Sequence, residues 1–272
     1  MPRSGRTDRN ETMFDTDSYL KRIDYHGSLS PTAETLRNLQ VAHLRSVPFE
    51  NLSIHAGQPI VLDDDSLFEK IVIRRRGGFC YELNGLFAAM LRDLGFEVAM
   101  LSAGVANSEG IFGPEFDHMT LLVSLEQRRL ADVGFGDSFL EPLLLDERNP
   151  QLQGDRSYQI KSDNSHLVLM RREKEGEWKP QYRFTLQPYR YSDYEEMCRY
   201  QATSPESHFT QKLVCTLSTP AGRITISDFR LITTDSTGRQ ERNIADEDER
   251  NALLREYFGV TDIADFQLPI AD

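Results

Sequence analysis

Cysteine is scarce in this chain: Cys80, Cys198 and Cys215 are an odd count with no CxxC and no framework spacing. A disulfide-stapled secreted scaffold is excluded, and a reduced, cytoplasmic setting is expected. Long apolar runs are missing too. No window approaches the roughly 18 uninterrupted apolar residues of a membrane span. The opening MPRSGRTDRNET carries arginines with no apolar stretch behind them, so residues 1–12 read as a loose leader rather than a signal or anchor. Positive charge is short: the formal balance is −12, and a nucleic-acid binder would need a basic footprint. An anionic ligand is still allowed where local amides or arginines hold it. Repeats and low-complexity tracts are absent, as are HExxH, paired Cys/His metal spacing, a Walker loop, GxSxG and GxGxxG. No metal is expected.

What the 272 residues do contain is a change of period. Ser30-Pro31 ahead of Leu36, Leu39 and Leu44 reads as a cap and a first-turn proline, predicting a helix. Asp63 to Ser66 caps a second, ending near Arg74. A third starts close to Cys80, with Leu83, Phe87, Met90 and Leu94 on one face and Gly95 as its stop. After Gly95 come short β-branched or alternating runs, Phe96–Val105, His118–Ser124, Arg129–Val133, His166–Met170 and Tyr182–Leu186, predicting a meander or small barrel. Ser192 to Glu195 has the form of a capping box for a helix to about Tyr200. Lys212–Leu217, Arg223–Ile226 and Phe229–Thr233 read as strands, and Glu247–Phe258, stopped by Gly259, as a closing helix. Helices, then strands, then a mixed tail is an α+β order.

The densest chemistry lies in Arg74-Arg75-Arg76-Gly77-Gly78-Phe79-Cys80-Tyr81-Glu82-Leu83-Asn84-Gly85. The glycine pair lets the chain turn sharply into a helix and puts Cys80 at its N-terminus, where unpaired amides favour a thiolate. Cys80 reads equally as a nucleophile or as a small buried hydrophobe. Cys198 and Cys215 lack such a turn and read as structural. Glu50 is placed to pair an arginine such as Arg76, a structural role.

A nucleophilic thiol needs a base, and the base an orienting group. His118 opens a strand, and Asp132 sits in the next apolar run, where a buried carboxylate needs a donor; the imidazole Nδ1–H would serve. Strand parity tests the pairing. A two-residue loop at Glu126-Gln127 opposes His118 to Phe135 and puts Asp132 on the other face. A three-residue loop at Leu125–Gln127 opposes Thr120 to Asp132 and leaves Asp132 diagonal to His118 on the same face. A His–Asp pair therefore requires an odd loop or a bulge. His118 and Asp132 otherwise merely satisfy each other, or His118 is an ordinary core residue. Gly134-Phe135-Gly136 is a glycine-bearing loop able to bring amides to an anion, though such a loop is commonly a plain turn.

Taken together, Pro48-Phe49-Glu50-Asn51, Arg76-Gly77-Gly78-Phe79-Cys80-Tyr81-Glu82-Leu83-Asn84, His118 and Asp132-Val133-Gly134-Phe135-Gly136 resemble the arylamine N-acetyltransferases. Phe209-Thr210-Gln211-Lys212 and Gly222-Arg223 extend the resemblance over nearly the whole chain after the leader. It implies an N-terminal helical bundle (13–95) carrying the nucleophile, a central β-barrel-like domain (96–190) carrying His and Asp, and a C-terminal α/β lid (191–272). It also implies a papain-like Cys-His-Asp site at Cys80, His118 and Asp132, with acetyl-CoA as co-substrate and a small arylamine or hydrazine acceptor in xenobiotic metabolism. By the same resemblance Gly134, Phe135, Gly136, Ser204 and Thr210 are candidate CoA contacts, and Phe49 and Val105 candidate acceptor walls. Amides at Gly78–Cys80 are candidate oxyanion donors. The chain departs from the family pattern at Gly104-Val105, where an Arg-Val pair is expected. Alternatives are a papain-like or transglutaminase-like hydrolase, an amide synthase of macrolactam biosynthesis, and a non-catalytic CoA- or amine-binding protein.

Overall fold

The computed structural model describes residues 14–262. The expected leader, residues 1–12, lies outside the described residues.

Helices Thr16–Arg22, Ala33–Ser46, Asp64–Phe68 and Cys80–Asp93 make the first part of the chain. Asp63 caps the third of these by accepting from Ser66 N–H at 2.7 Å, and the helix runs on as a π-turn over Glu69–Ile73. The cap expected at Ser30 sits at Thr32 instead. Thr32 is extended and its hydroxyl accepts from Thr35 N–H at 3.2 Å, so Pro31 stays outside the helix. The long Cys80–Asp93 helix is buried almost all round, which its apolar sequence demands.

Beyond Gly95, which takes φ +86°, an antiparallel eight-stranded sheet forms. Its order is Leu143–Leu144, Arg129–Ala131, His118–Ser124, Glu97–Val105, Lys179–Tyr189, His166–Glu173, Arg156–Asp163 and Gln151–Gln153. The two edge strands meet through side chains. Gln151 accepts from Leu144 N–H at 2.7 Å and donates to Leu144 O at 2.9 Å, as a peptide group would. Gln153 does the same at Leu140 and Glu141 (2.9 and 2.7 Å). The barrel is therefore nearly closed, around Leu101, Leu130, Phe139, Ile160 and Phe184.

A second sheet holds five strands: Phe49–Glu50, Val214–Thr219, Gly222–Ser227, Arg230–Asp235 and Gly238–Asn243. Helix Glu247–Phe258 seals it, packing Leu253, Leu254 and Phe258 on Leu213, Cys215 and Ile226. Gly238–Asn243 and Arg156–Asp163 carry no prediction from sequence. The first is exposed throughout and is held by pairing with its neighbour and by the Arg242–Glu249 ion pair; the second buries only Ser157, Tyr158 and Ile160. The capping box expected at Ser192 is shifted: Asp193 accepts from Arg190 N–H at 2.7 Å, and a 3-10 turn over Tyr191–Tyr194 leads into helix Glu195–Thr203.

Candidate active site

The turn before Cys80 is built against the Phe49–Glu50 strand. Gly78 O accepts from Glu50 N–H at 2.9 Å and Gly78 N–H donates to Pro48 O at 3.4 Å. A Cβ on Gly77 would overlap Pro48 O, so only glycine allows this approach. Beneath it the fully buried Arg76 donates to Glu50 Oε1 through Nε (3.1 Å) and Nη2 (2.8 Å), while Glu50 Oε2 takes Leu52 N–H at 2.6 Å. Burial alone would raise the Glu50 carboxyl, but Arg76 and Lys70 outweigh it and hold it below the ordinary range. Glu82 binds the turn from the helix side, accepting from Phe79 N–H at 3.2 Å and meeting Lys70 Nζ at 2.7 Å.

Cys80 is thus the first residue of its helix and is 3% exposed. Burial pushes its thiol well up from the ordinary value, and the Met119 N–H beside the sulfur works the other way. Of the amides considered as oxyanion donors, those of Gly78 and Phe79 are already engaged, with Pro48 O and the Glu82 carboxylate.

The hairpin carrying His118 and Asp132 has the odd loop. Leu121, Leu122 and Val123 pair with Ala131, Leu130 and Arg129, a register that opposes Thr120 to Asp132. His118 and Asp132 then share a face, and His118 Nε2 meets Asp132 Oδ2 at 2.7 Å with both side chains buried. The nitrogen differs from the Nδ1 expected, because the imidazole reaches diagonally across the hairpin with its far edge; Nδ1 is left on the other side of the ring. Tyr182 donates to the same Asp132 oxygen at 3.1 Å. Asp132 Oδ1 accepts from Asn84 Nδ2 and Gly134 N–H, each at 2.9 Å. Burial would raise this carboxyl, yet His118, Asn84 and the Gly134 amide together hold it below its usual range.

Asn84 joins the parts. One turn after Cys80 on the same helix face, it also donates to Met119 O at 2.6 Å and accepts from Val133 N–H at 2.9 Å. The helix is so pinned to both strands of the hairpin. Gly134 allows the contact, since a Cβ there would fall 2.7 Å from Cys80 Cα. Sequence reasoning gave no role to Asn84 or Tyr182. The available signal was a carboxamide four residues after the thiol, on the helix face that also carries Phe87.

A family model described as N-acetyltransferase matches residues 32–264. The arylamine N-acetyltransferase of Escherichia coli (strain K12) is 35% identical over 246 residues, covering 89% of this chain and 87% of that protein. The chain belongs to the arylamine N-acetyltransferase family, a family of acyltransferases. The Mycobacterium marinum arylamine N-acetyltransferase superposes with a TM-score of 0.87 at 30% identity, over 93% of this chain and 95% of that one. The same enzyme in complex with CoA gives 0.85 at 30% identity, over 92% and 94%. Proansamycin X synthase of Amycolatopsis mediterranei (strain S699) is 32% identical over 250 residues, 89% of this chain and 96% of that protein.

Within this family member, Phe135 sets its ring edge-on to His118 at 5.1 Å, and Gly136, at φ +84°, lies against the Phe49 ring. Phe49, Phe135 and Gly136 line a cavity of about 350 Å³ with Val214, Thr216 and Arg223. Gly134 stands apart from them, its amide spent on Asp132. Ser204 and Thr210 lie in a strap where the Thr210 hydroxyl donates to Ser204 O at 2.6 Å. Phe209 of that strap rests on Phe49 and Phe79. Val105 closes the far end of its strand, its N–H on Asp117 Oδ2 at 3.2 Å. The departure at Gly104 has a steric account: a Cβ there would sit 2.5 Å from Gly113 O, so the following loop lies where a larger side chain would need room. No group of His, Cys, Asp and Glu among the described residues is arranged to hold a metal ion, and no described helix is long and apolar enough to cross a membrane.

Proposed function

We propose that this protein transfers an acetyl group from acetyl-CoA, through a thioester on Cys80, to an arylamine, hydrazine or arylhydroxylamine. The observation that carries the reading is the buried His118–Asp132 hydrogen bond of 2.7 Å, tied through Asn84 to the helix that Cys80 opens. Cys80 is the nucleophile, His118 the base and Asp132 the orienting group. Since burial alone keeps the thiol protonated, its activation depends on His118 taking the proton. The sulfur then attacks the acetyl carbonyl carbon, the carbon–sulfur bond to CoA breaks, and His118 returns the proton to the departing CoA thiolate. In the second half-reaction the acceptor nitrogen attacks the acetyl-cysteine, its proton passes to His118, and the Cys80 sulfur leaves. The kinetics are ping-pong. With Gly78 and Phe79 engaged, the Cys80 N–H is the candidate oxyanion donor among the three amides considered.

In the same reading the helical unit 13–95 supplies the nucleophile, 96–190 the base and its partner, and 191–272 the lid, in a reducing, cytoplasmic setting. Incubation with acetyl-CoA alone, followed by peptide mass spectrometry, tests this. One acetyl group on the Cys80 peptide, absent in Cys80→Ser, is expected. An unacetylated Cys80 that iodoacetamide still alkylates would sink the acetyl-CoA reading and favour a cysteine hydrolase or a macrolactam amide synthase.

A further inference from the structure

His118 opens its strand, and the two residues before it form a sharp corner. Phe116 takes φ +64°, a left-handed backbone that a bulky side chain rarely adopts and that relaxes unless its surroundings hold it. Its N–H donates to Ser102 Oγ at 2.6 Å, and its carbonyl accepts from the Tyr81 hydroxyl at 2.7 Å. The same hydroxyl lies 3.3 Å from Asp117 O. The Phe116 ring sits edge-on to Tyr189 and Tyr194, at 4.8 and 5.2 Å. Asp117 is tied as well: its carboxylate accepts from Val105 N–H at 3.2 Å and from Gln201 Nε2 at 2.8 Å.

Among these partners Tyr81 alone comes from the helix that presents the thiol. It follows Cys80 directly and is fully buried, so its hydroxyl runs from the nucleophile's helix to the corner that presents the base. Asn84, three residues on, holds Met119 O at 2.6 Å. Residues 116 and 119 are therefore bonded to one helix, on either side of His118. Asp132 fixes the direction of the imidazole through Nε2, but it lies on the other arm of the same hairpin and moves with it. The separation of ring and sulfur is set instead by the bonds between hairpin and helix. Asn84 supplies them after His118, and Tyr81 before it. On a strained corner the second tie matters, because without it Phe116 is free to turn toward the extended region and carry His118 away.

Resting on the acyltransferase reading above, we propose that Tyr81 is a positioning residue: its hydroxyl holds the Phe116–Asp117 corner in its left-handed turn and so keeps His118 within proton-transfer reach of the Cys80 sulfur. Tyr81 acts through His118 and takes no proton itself. Burial pushes its hydroxyl well above the ordinary tyrosine value, so it remains a donor throughout the working range.

The test is the rate of Cys80 alkylation by iodoacetamide across pH, read by peptide mass spectrometry. Tyr81→Phe keeps the ring and its packing, and the rising limb should move up by about one pH unit, a roughly tenfold loss of the thiolate–imidazolium pair for one missing hydrogen bond. Single-turnover acetylation of Cys80 at saturating acetyl-CoA should slow by the same factor. Thr16→Val, which removes a bond to Asp93 at the far end of the same helix, should lower stability and leave the limb in place. A limb in Tyr81→Phe that coincides with that of the unaltered protein overturns the proposal, and so does an equal shift in Thr16→Val, the mark of general loosening. Should Tyr81→Phe not fold, Ser102→Ala frees the corner's N–H instead: a shift the same way is expected, and none overturns the proposal. If the unaltered protein itself shows no limb below the ordinary thiol range, the reading of His118 as base for Cys80 falls, and this proposal with it.

Discussion

Two aspartates stand on either side of the Gly134–Gly136 turn and do opposite work. Asp132 is buried, with both oxygens met by donors of fixed direction: an imidazole, a phenol, a carboxamide and a backbone amide. Asp137 keeps 39% of its side chain exposed and is surrounded by arginines of variable reach. Both carboxyls are held below the ordinary aspartate range against the opposing effect of burial, the first chiefly by His118, the second by Arg223 and Arg156. The lesson is that a lowered carboxyl does not distinguish an orienting group from a surface tie. What distinguishes them is the rigidity of the donors and the exclusion of water.

The comparison breaks most readily at Asp132. Replacing it with Asn keeps the shape but offers His118 an amide that can donate, and acetyl transfer should drop by roughly 10³–10⁴-fold, as when a triad carboxylate elsewhere is made an amide. The measurement is single-turnover acetylation of Cys80, and a loss under tenfold would mean that Asp132 serves packing alone. Asn84→Ala comes next. It strips the carboxylate of a donor and uncouples the helix from both strands, so urea unfolding should lose about 3 kcal/mol, near the top of the range for buried polar groups left unmade.

Acid sharpens the contrast. A carboxyl lowered in the folded state contributes stability that is full above its unfolded value, 3.8 for aspartate, and is lost as pH falls through the folded one. Asp132→Asn should therefore flatten the acid limb of the stability–pH curve, while Asp137→Asn, screened by solvent, changes it little. The smallest effect is the stability cost of Asp137→Asn itself, below about 1 kcal/mol at neutral pH and smaller still in high salt.

Much of this was readable from residue order. The helix Cys80–Asp93, the strand His118–Ser124 and the closing helix Glu247–Phe258 follow from caps, periods and glycine stops, because each signal lies within a few residues of the element it defines. The three-residue loop at Leu125–Gln127 could be posed as a condition from parity but not chosen, since both loop lengths are chemically ordinary. Tyr182 was hidden on the apolar face of an alternating run, where its hydroxyl carries no pattern. The ring nitrogen facing Asp132 was beyond reach as well, because it depends on how the imidazole lies across two strands rather than on spacing. Phe49–Glu50 is too short to announce itself, and its partners Thr216 and Cys215 lie at the far end of the chain.

That last pairing constrains synthesis. Asn51 donates to Phe209 O and Lys212 O at 2.8 and 2.7 Å and accepts from Val214 N–H at 2.8 Å, so the strand supporting the Gly77–Gly78 turn is itself held by residues made much later. A nascent chain that has released Cys80 and even the whole barrel still has one edge of that supporting strand unpaired. Only when the last sheet arrives does the strand that supports the loop beneath the thiol acquire the partners of its other edge. A chain cut short after the barrel would carry every residue of the proposed triad and lack the brace that positions its first member.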